Sequence, residues 1–440
     1  MVINLVFLLL VALILILFMK ITLINTSDAG GGAPVASMRL LKALASENIE
    51  VNFLAGDKKT SEARVQAVQN NLWQRLKARF NFLYERLPFI LFYEKDKSVR
   101  FAFSTANAGT SIAGHQLVKE ADILHLHWTN SGFLSIRDLT ELMKLGKPVV
   151  WTLHDMWAFT GGCHYAGTCD HFTGECGDCY FLRDPAGNDI SHTGWLHKQA
   201  MYASSPNLTF VSCSNWLGKV ARQSSLVKDF PVRAIANPID IEVYAPKARM
   251  AARTKWNISN NSRIILFGAA NIGDRRKGIG YLVQALQHLK QHYELPLPVE
   301  VLIFGKNKHF DVSQLPFPVH ELNTISAAQD LAELYSLADV FVMPSVEDNL
   351  PNTVMESMAC GTPVVAFDTG GLPEMIDHQL NGYLASFRSA TDLATGIHEM
   401  LFTPRAEEIA IQARNKVLQN FTNQHIARQY TDLYQSLLSK

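Results

Sequence analysis

The chain carries its densest set of ligand-binding groups between positions 344 and 374, which read PSVEDNLPNTVMESMACGTPVVAFDTGGLPE. A phosphate is favoured at the N-terminus of a helix by free backbone N–H groups and the helix dipole. A carboxylate one turn into that helix, Glu356, could hold sugar hydroxyl groups by charge-assisted hydrogen bonds. The residues before the helix are the other candidates for ligand contact: Glu347, Asp348, Asn349 and Leu350.

The surrounding pattern predicts how these residues are positioned. Apolar runs typical of strands occupy 338–343 and 363–367, and the segment 353–359, closed by Gly361, has the length of a helix. Strand, helix and strand form a βαβ unit, which implies a parallel sheet. Ligands of such sheets bind past the carboxyl ends of the strands. The acidic cluster and the Gly370-Gly371 turn are therefore predicted to lie at the binding edge.

Glu356 has a second interpretation. Thr353-x-x-Glu356 matches a capping box, in which the glutamate would only satisfy the backbone at the helix start. The local pattern leaves both roles open.

The same stretch resembles the donor-site motif of the GT-B glycosyltransferases of family 4, an acid-x7-Glu followed by an Ala-Cys-Gly-Thr-Pro-Val-Val strand entry. The residue at that spacing from Glu356 is Asp348, where the family usually has Glu, so Asp348 or the displaced Glu347 fills the first position. The resemblance implies that the first acid contacts the donor sugar and that Glu356 contacts the nucleotide ribose.

A cation-rich loop follows the predicted strand 263–270. Arg275, Arg276 and Lys277 precede Gly278 and a helix, an arrangement suited to neutralising a departing diphosphate. A solvated basic loop is the alternative. The resembled family has a Lys-Gly pair here, which Lys277-Gly278 matches, with an Arg several residues earlier. Ile272 occupies that place, so either Arg275 or Arg276 takes the role.

The glycine-rich loop 30–32 follows the first predicted strand. Its glycines let the backbone approach a ligand closely, although a simple tight turn is the alternative and G-x-G-x-x-G is absent. The resemblance implies that Gly31 and Gly32 lie near the donor phosphates.

Two further strands are predicted to end in histidine. His127 and Trp128 follow a predicted strand and would reach the cleft from its end, and a buried structural histidine is the other interpretation of His127. His154 occupies the position at which the resembled family has a histidine that contacts the donor sugar near the reacting carbon. Asp155 is expected to orient His154, as carboxylates often do for histidine.

Four cysteines, Cys163, Cys169, Cys176 and Cys179, fall in one segment with the spacing C-x5-C-x6-C-x2-C. The closing Cys-x-x-Cys is typical of structural zinc sites, and four thiolates suffice for one. Two disulfides and four free thiols are the alternatives. The segment around these cysteines resembles transferases that build bacterial exopolysaccharide and lipopolysaccharide, including colanic-acid-type enzymes.

Residues 56–100 mix aromatic and basic side chains. In one interpretation, most of these aromatic side chains belong to the core or cover it. A surface that faces a membrane or a lipid-linked acceptor is the other, since basic amphipathic segments bind membranes.

Residues 2–18 are apolar except for Asn4 and have the shortest length that spans a membrane. A real N-terminal anchor and an upstream start, with the working protein beginning at Met19, are both open. Both place the catalytic part on the cytoplasmic side.

Composition limits the class of protein. The 440 residues predict two domains, and 40 basic against 40 acidic residues argue against nucleic-acid binding. Six cysteines in a chain of this length do not indicate a disulfide scaffold.

The predicted fold is α/β, of the GT-B type, with two Rossmann-like domains whose parallel sheets face a central cleft. We expect an acceptor domain at 19–238 with a Cys-rich insertion at 161–180, a donor domain at 239–424, and a terminal helix at 425–440 that packs on the first domain. The resemblance implies a retaining transferase that needs no cofactor for catalysis and moves a sugar from a UDP- or GDP-sugar to a bacterial surface glycan or lipid-linked glycan. It would work at the cytoplasmic face of the inner membrane, with a membrane surface as partner. A non-catalytic nucleotide-sugar-binding subunit is the alternative.

Overall fold

The computed structural model describes residues 19–439. The apolar segment 2–18, on which the anchor prediction falls, lies outside them. The described chain divides into two compact units. Unit 1 contains the described residues up to Ala236 and those from Ile426 onward, and unit 2 is Asn237–His425.

Unit 1 is built on a parallel sheet. Its order is β3-β2-β1-β4-β5-β6-β7, and every neighbouring pair runs in parallel. The strands are β1 Lys20–Ser27, β2 Glu50–Asp57, β3 Val65–Ala67, β4 Ile123–Leu126, β5 Val149–Leu153, β6 Leu208–Ser212 and β7 Val232–Ala234. The α-helices are Gly32–Ser46, Leu72–Pro88, Gln116–Glu120, Ile136–Met143, Ile190–Ala203, Asn215–Gln223 and Asn423–Leu438.

Both faces of this sheet are covered. Successive residues of a strand point to opposite faces, and each face packs in its own apolar cluster. Trp151 of β5 packs in one apolar cluster, whereas its neighbour Val150 packs in the other. Strands buried on both faces are typical of parallel sheets. The second cluster includes Ile426, Tyr430 and Tyr434 of the terminal helix, so the end of the chain completes the core of unit 1.

Unit 2 repeats the plan with the order β10-β9-β8-β11-β12-β13, again with parallel pairs throughout. Its strands are β8 Arg263–Asn271, β9 Val299–Lys306, β10 Val319–Leu322, β11 Val340–Met343, β12 Val364–Phe367 and β13 Gly382–Ala385. Its α-helices are Arg249–Lys255, Ile279–His292, Ala328–Leu337, Asn352–Ala359, Leu372–Met375, Ala390–Phe402 and Ala406–Asn420.

The strand order has a functional consequence. In each unit the chain starts from the first strand of the sheet, builds one side of that sheet and then the other, which is the doubly wound order of Rossmann folds. The order reverses between β1 and β4 in unit 1 and between β8 and β11 in unit 2. Ligands of such sheets bind at these switch points. The prediction of two Rossmann-like parallel sheets is confirmed.

Candidate functional site

The switch point of unit 2 is formed by the loops that follow β8 and β11. The first loop is a short 3-10 turn, Arg275–Lys277, that ends at Gly278 with φ +73°. A Cβ added at Gly278 would overlap the carbonyl oxygen of Pro344, so only glycine lets the two loops meet this closely. Val346 N also donates to the carbonyl of Arg276 at 2.9 Å.

Lys277 and Asp348 connect these loops through their side chains. Lys277 Nζ lies 2.5 Å from Asp348 Oδ2, and the hydroxyl of Ser345 donates to the same oxygen at 3.3 Å. Burial of Asp348 would raise the pKa of its carboxyl, but Lys277, Arg276 and Ser345 together hold that pKa below its ordinary value. Asp348 is therefore a buried, ionised carboxylate in the loop that follows β11, and it forms an ion pair with Lys277.

The structure distinguishes the two arginines that the sequence left open. The Arg276 side chain is held by the carbonyl of Glu347 at 3.0 Å and by Asp274 Oδ2 at 3.3 Å. The Arg275 side chain is exposed. Arg276 is thus the arginine fixed beside the Lys277–Asp348 pair.

The loop around Asp348 is held in place by burial and by a backbone hydrogen bond. Asn349 and Leu350 are buried, at 3% and 5% exposure. The carbonyl of Asp348 accepts from Gly371 N at 3.1 Å, and Gly370, with φ +60°, leaves no room for a Cβ beside that carbonyl. The predicted meeting of the cluster with the Gly370-Gly371 turn is thereby observed.

Glu356 lies inside the helix Asn352–Ala359 and is 5% exposed. Its Oε2 accepts a hydrogen bond from the hydroxyl of Tyr335 at 2.9 Å. The N-cap of the helix is Pro351, and no side chain caps it, so the capping-box interpretation of Thr353 and Glu356 is wrong. Proline at the cap fixes the start of the helix and puts Thr353 within the first turn.

The switch point of unit 1 carries the glycine loop. Gly31 is the N-cap of the helix Gly32–Ser46, with φ +111°, and both glycines are exposed. The loop is anchored from one side by Asp28, whose carboxylate accepts from the backbone N–H groups of Lys59 at 2.7 Å and Thr60 at 2.9 Å. An exposed glycine backbone at a helix start leaves space for a ligand to approach.

His154 lies at the end of β5 in a row of three histidines. Its Nε2 is 3.0 Å from Nδ1 of His127, and the rings of His127 and His125 stack at 4.3 Å. His125 in turn contacts the hydroxyl of Tyr434 at 2.7 Å and that of Thr152 at 2.7 Å. The row therefore runs from the strand end to the terminal helix.

The three imidazoles are held neutral. Burial lowers the pKa of His125 to about 3 and that of His154 to about 4, although Asp155 acts in the opposite direction on His154. Burial, with the neighbouring histidines, takes the pKa of His127 well below 6.5. In a neutral pair one ring nitrogen donates and the other accepts, so the His127–His154 bond fixes the orientation of His154.

Asp155 has a different partner from the predicted one. Its Oδ2 lies 2.7 Å from His164 Nδ1 and accepts from the indole N–H of Trp128 at 3.0 Å, while Oδ1 accepts from Trp157 N at 2.9 Å. The hydrogen bonds of His154 include those of its Nε2 with His127 and of its Nδ1 with Cys213 Sγ at 3.8 Å, and Asp155 acts on it electrostatically.

The four clustered cysteines line one small cavity of about 20 Å³, together with His171. Within residues 19–439, however, no group of three or more His, Cys, Asp or Glu side chains is placed to hold a metal ion. The zinc site at Cys163, Cys169, Cys176 and Cys179 therefore stays a prediction. All four cysteines are free, which contradicts the disulfide alternative. Burial raises the pKa of Cys176 to about 11 and that of Cys179 to about 12.

Sequence reasoning missed two partners of the predicted residues. Tyr335 was not considered, because its helix gives no sign of packing against Glu356. The sequence leaves His127 open between a cleft residue and a structural one and does not pair it with His154, yet the two are hydrogen-bonded, and Nε2 of His127 is buried without a partner in the described part of the chain. The shared strand-end position of His127 and His154 was the available signal.

Comparisons with known proteins find a matching glycosyltransferase family for each unit. Residues 30–243 match a family model described as Glycosyltransferase Family 4, and residues 262–402 match one described as Glycosyl transferases group 1. A relative in Bacillus anthracis, N-acetyl-alpha-D-glucosaminyl L-malate synthase, is 23% identical over 424 residues, which cover 93% of this chain and 94% of the relative.

Three solved structures share the fold. Sucrose-phosphate synthase from Thermosynechococcus elongatus superposes with a TM-score of 0.67 at 19% identity, covering 96% of this chain and 99% of its own. Anabaena HepE in complex with UDP-glucose gives 0.61 at 16%, covering 95% and 100%. WaaG, described as a glycosyltransferase involved in lipopolysaccharide biosynthesis, gives 0.60 at 14%, covering 94% and 99%.

Proposed function

The chain belongs to the family 4 glycosyltransferases of the GT-B fold, and from this premise we propose a retaining, metal-independent transferase that moves a sugar from a nucleotide-sugar to a growing bacterial surface glycan. The observation that carries the proposal is the Lys277–Asp348 pair beside Arg276 at the β8/β11 switch point. Relatives of the chain are named synthases and glycosyltransferases, so the chain is an enzyme and the binding-subunit alternative is set aside.

Lys277 and Arg276 stabilise the leaving group. As the bond between the anomeric carbon and the diphosphate oxygen breaks, its electron pair passes to the diphosphate, and two fixed cations stabilise the charge that develops there. The acceptor hydroxyl oxygen bonds to the same carbon, and its proton passes to the departing diphosphate. Because side chains supply this positive charge, the proposed reaction requires no divalent cation.

Asp348 and Glu356 position the donor. Asp348 is buried, ionised and oriented by Lys277 and Ser345, so it can accept hydrogen bonds from a sugar hydroxyl without reorganising. Glu356 is fixed by Tyr335 and is assigned to the ribose. Asn349, Leu350, Arg275 and the backbone of Glu347 form the surrounding donor contacts.

In unit 1, we assign His154 to the reacting face of the sugar and Gly31 and Gly32 to the donor phosphates. His154 is neutral and its orientation is held by His127, so it presents an uncharged ring at this position. No residue is assigned as a nucleophile.

The donor is proposed to be a UDP- or GDP-sugar, and the acceptor a glycan or lipid-linked glycan of exopolysaccharide, capsule or lipopolysaccharide. The HepE complex supports a nucleotide-sugar, and WaaG supports a surface glycan. Such an acceptor places the enzyme at the cytoplasmic face of the inner membrane. Between residues 19 and 439, no helix combines the length and apolar character needed to cross a membrane.

The test is release of nucleoside diphosphate by the full chain from a panel of UDP-, GDP- and ADP-sugars, with and without a chelator. We expect slow hydrolysis of one donor that is insensitive to the chelator and lost in Lys277→Ala. Lys308→Ala, which removes an exposed lysine of the same unit, serves as the matched control. Release that requires a divalent cation, or that survives in Lys277→Ala, would contradict the proposal.

A further inference from the structure

The helix Leu72–Pro88 is amphipathic, but its apolar face is turned to solvent and its polar face to the protein. Surface helices of soluble proteins normally turn their apolar face to the core. Here the side chains turned outward are apolar and strongly exposed, with Trp73 at 80%, Phe80 at 63% and Leu83 at 48%. The exposed stripe is completed by Leu72, Leu76, Tyr84, Leu87 and, in the following π-helical turn, Leu91.

Polar side chains hold the other face of this helix to the protein. The amide of Asn81 donates to the carbonyl of Gly109 at 2.8 Å, and Glu85 Oε2 accepts from Gly132 N at 2.5 Å. Both Asn81 and Glu85 are buried. The helix is thus fixed to unit 1 by hydrogen bonds, and its apolar side chains are left facing solvent.

Arg86 links the helix to the polar network beneath it. It donates to the carbonyl of Phe103 at 2.7 Å and to the hydroxyl of Ser104 at 2.9 Å, and Ser104 contacts His164 Nε2 at 2.9 Å. His164 belongs to the Cys-rich segment and bonds to Asp155. The orientation of the helix is therefore set by buried contacts and does not depend on what covers its outer face.

The charges on the outer face select the kind of partner. Arg75, Lys77 and Arg79 are exposed on the helix, and its one acidic residue, Glu85, is buried on the inner side. At helical spacing, Lys77 borders one edge of the apolar stripe, and Arg75 and Arg79 border the other. An apolar stripe between cations is typical of helices that lie in the interface of an anionic membrane.

We propose that the outer face of Leu72–Pro88, continued by Leu91 and Phe92, docks on an anionic lipid bilayer. Trp73 and Tyr84 have the amphipathic rings that favour the level of the lipid head groups. The apolar stripe enters the acyl boundary, and the three cations contact lipid phosphates. This inference extends the proposed function by naming the surface that meets the membrane, but docking requires no sugar transfer and the two can fail separately.

The experiment locates Trp73 relative to lipid in the full chain. Vesicles containing phosphatidylglycerol and bromine-labelled acyl chains are added, and quenching of tryptophan fluorescence is compared between the wild type and Trp73→Phe. We expect quenching in the wild type and loss of most of it in Trp73→Phe. The difference in quenching between the two proteins reports how deeply the Trp73 ring enters the bilayer. Attachment through residues 2–18 alone would not produce that difference.

Two further variants separate the apolar and electrostatic parts. The triple variant Arg75→Gln/Lys77→Gln/Arg79→Gln is expected to bind phosphatidylglycerol vesicles more weakly, by about fivefold for each charge removed. Its binding to pure phosphatidylcholine vesicles should equal that of the wild type. Phe387→Ser, which removes an exposed aromatic of unit 2, is the control and is expected to bind as the wild type does.

Three results would overturn the proposal. The first is equal quenching in the wild type and Trp73→Phe, and the second is binding that is indifferent to lipid charge. The third is a dimer in sedimentation without lipid that Leu76→Ser dissociates, because a second copy of the chain would then cover this face. Nucleotide release in solution is measured in parallel and shows whether donor chemistry is intact in each variant.

Discussion

Lys277 Nζ and Asp348 Oδ2 lie 2.5 Å apart, across two loops that are separated by 71 residues in the chain. The carboxylate neutralises the lysine, and the lysine orients the carboxylate. A donor whose diphosphate meets Lys277 and whose sugar meets Asp348 uses both members of the pair.

Lys277→Ala is expected to lower kcat/KM for the donor by about a hundredfold to a thousandfold, as loss of one preorganised group for the developing charge does. Steady-state nucleotide release measures this effect. Asp348→Asn should reduce kcat/KM as well while leaving Lys277 in place. If Lys277→Ala reduces activity no more than Lys308→Ala, the lysine has no role in leaving-group stabilisation.

Glu356→Gln keeps an oxygen that can accept from Tyr335 but removes the charge. Hydrogen bonds to charged groups contribute about 1.5–3 kcal/mol, so donor affinity should fall about tenfold or more. Calorimetric titration with the nucleoside diphosphate measures it. Tyr335→Phe removes only the hydroxyl and should lower the free energy of unfolding by about 1 kcal/mol with little effect on affinity. Equal affinity losses in both variants would indicate that Glu356 is structural.

His127→Phe keeps an aromatic ring in the stack and removes the hydrogen bond to His154. Because His127 acts through His154, kcat should fall about threefold to tenfold while KM for the donor changes little. His127→Asn, which can still hydrogen-bond, should recover part of kcat. A rise in KM without a change in kcat would contradict this positioning role.

The stability of the protein should fall as pH decreases from about 6.5 towards 4. The folded pKa values of His125 and His127 lie below the ordinary value of 6.5, so in this range the unfolded chain binds protons that the folded chain does not. Each such histidine contributes a loss of about 1.4 kcal/mol per pH unit. Asp155 and Asp348 act only at lower pH, because their pKa values are lowered from 3.8.

Urea unfolding at several pH values measures this dependence. His125→Phe should flatten the slope by removing one titrating group, and His309→Gln, at an exposed position, should leave it unchanged. A slope that is the same in His125→Phe as in the wild type would show that the histidine row does not set the acid sensitivity.

Chelators test the zinc site predicted at the four clustered thiols, because removal of a structural metal from that site should lower the Tm of the protein. Cys176→Ala should still lower the free energy of unfolding by about 1–3 kcal/mol, since Cys176 is buried and accepts from Gly161 N at 3.2 Å. Elemental analysis and thermal unfolding test both points. An unchanged Tm after chelation, with no zinc in the purified chain, would contradict the zinc prediction.

Local patterns predicted the parallel sheets and the binding edge of unit 2, because the period of the apolar runs and the glycine positions are local properties. Lys277 and Asp348 were identified from short motifs around each of them. The choice between Arg275 and Arg276 was not local, since it depends on which arginine reaches the carbonyl of Glu347. Tertiary packing fixes Arg276 beside the pair, and its contact with the diphosphate stays a prediction.

Other features depend on contacts that no short pattern contains. Glu356 matched a capping box, but Pro351 starts its helix and Tyr335 binds its carboxylate. For the helix Leu72–Pro88 the apolar periodicity was visible, but the same period predicts either a buried or an exposed stripe. The burial of Asn81 and Glu85, which required their partners to be known, determines which face is outside.

The hydrogen bond between His125 and Tyr434 joins residues 309 positions apart. Unit 2 is consequently inserted between the last strand and the last helix of unit 1. During synthesis on the ribosome, all of unit 2 emerges before Tyr434 does. Unit 2 can therefore finish folding first although it is encoded second, and one core of unit 1 stays incomplete until the helix Asn423–Leu438 emerges. A premature stop before this helix would thus damage the unit that the ribosome made first.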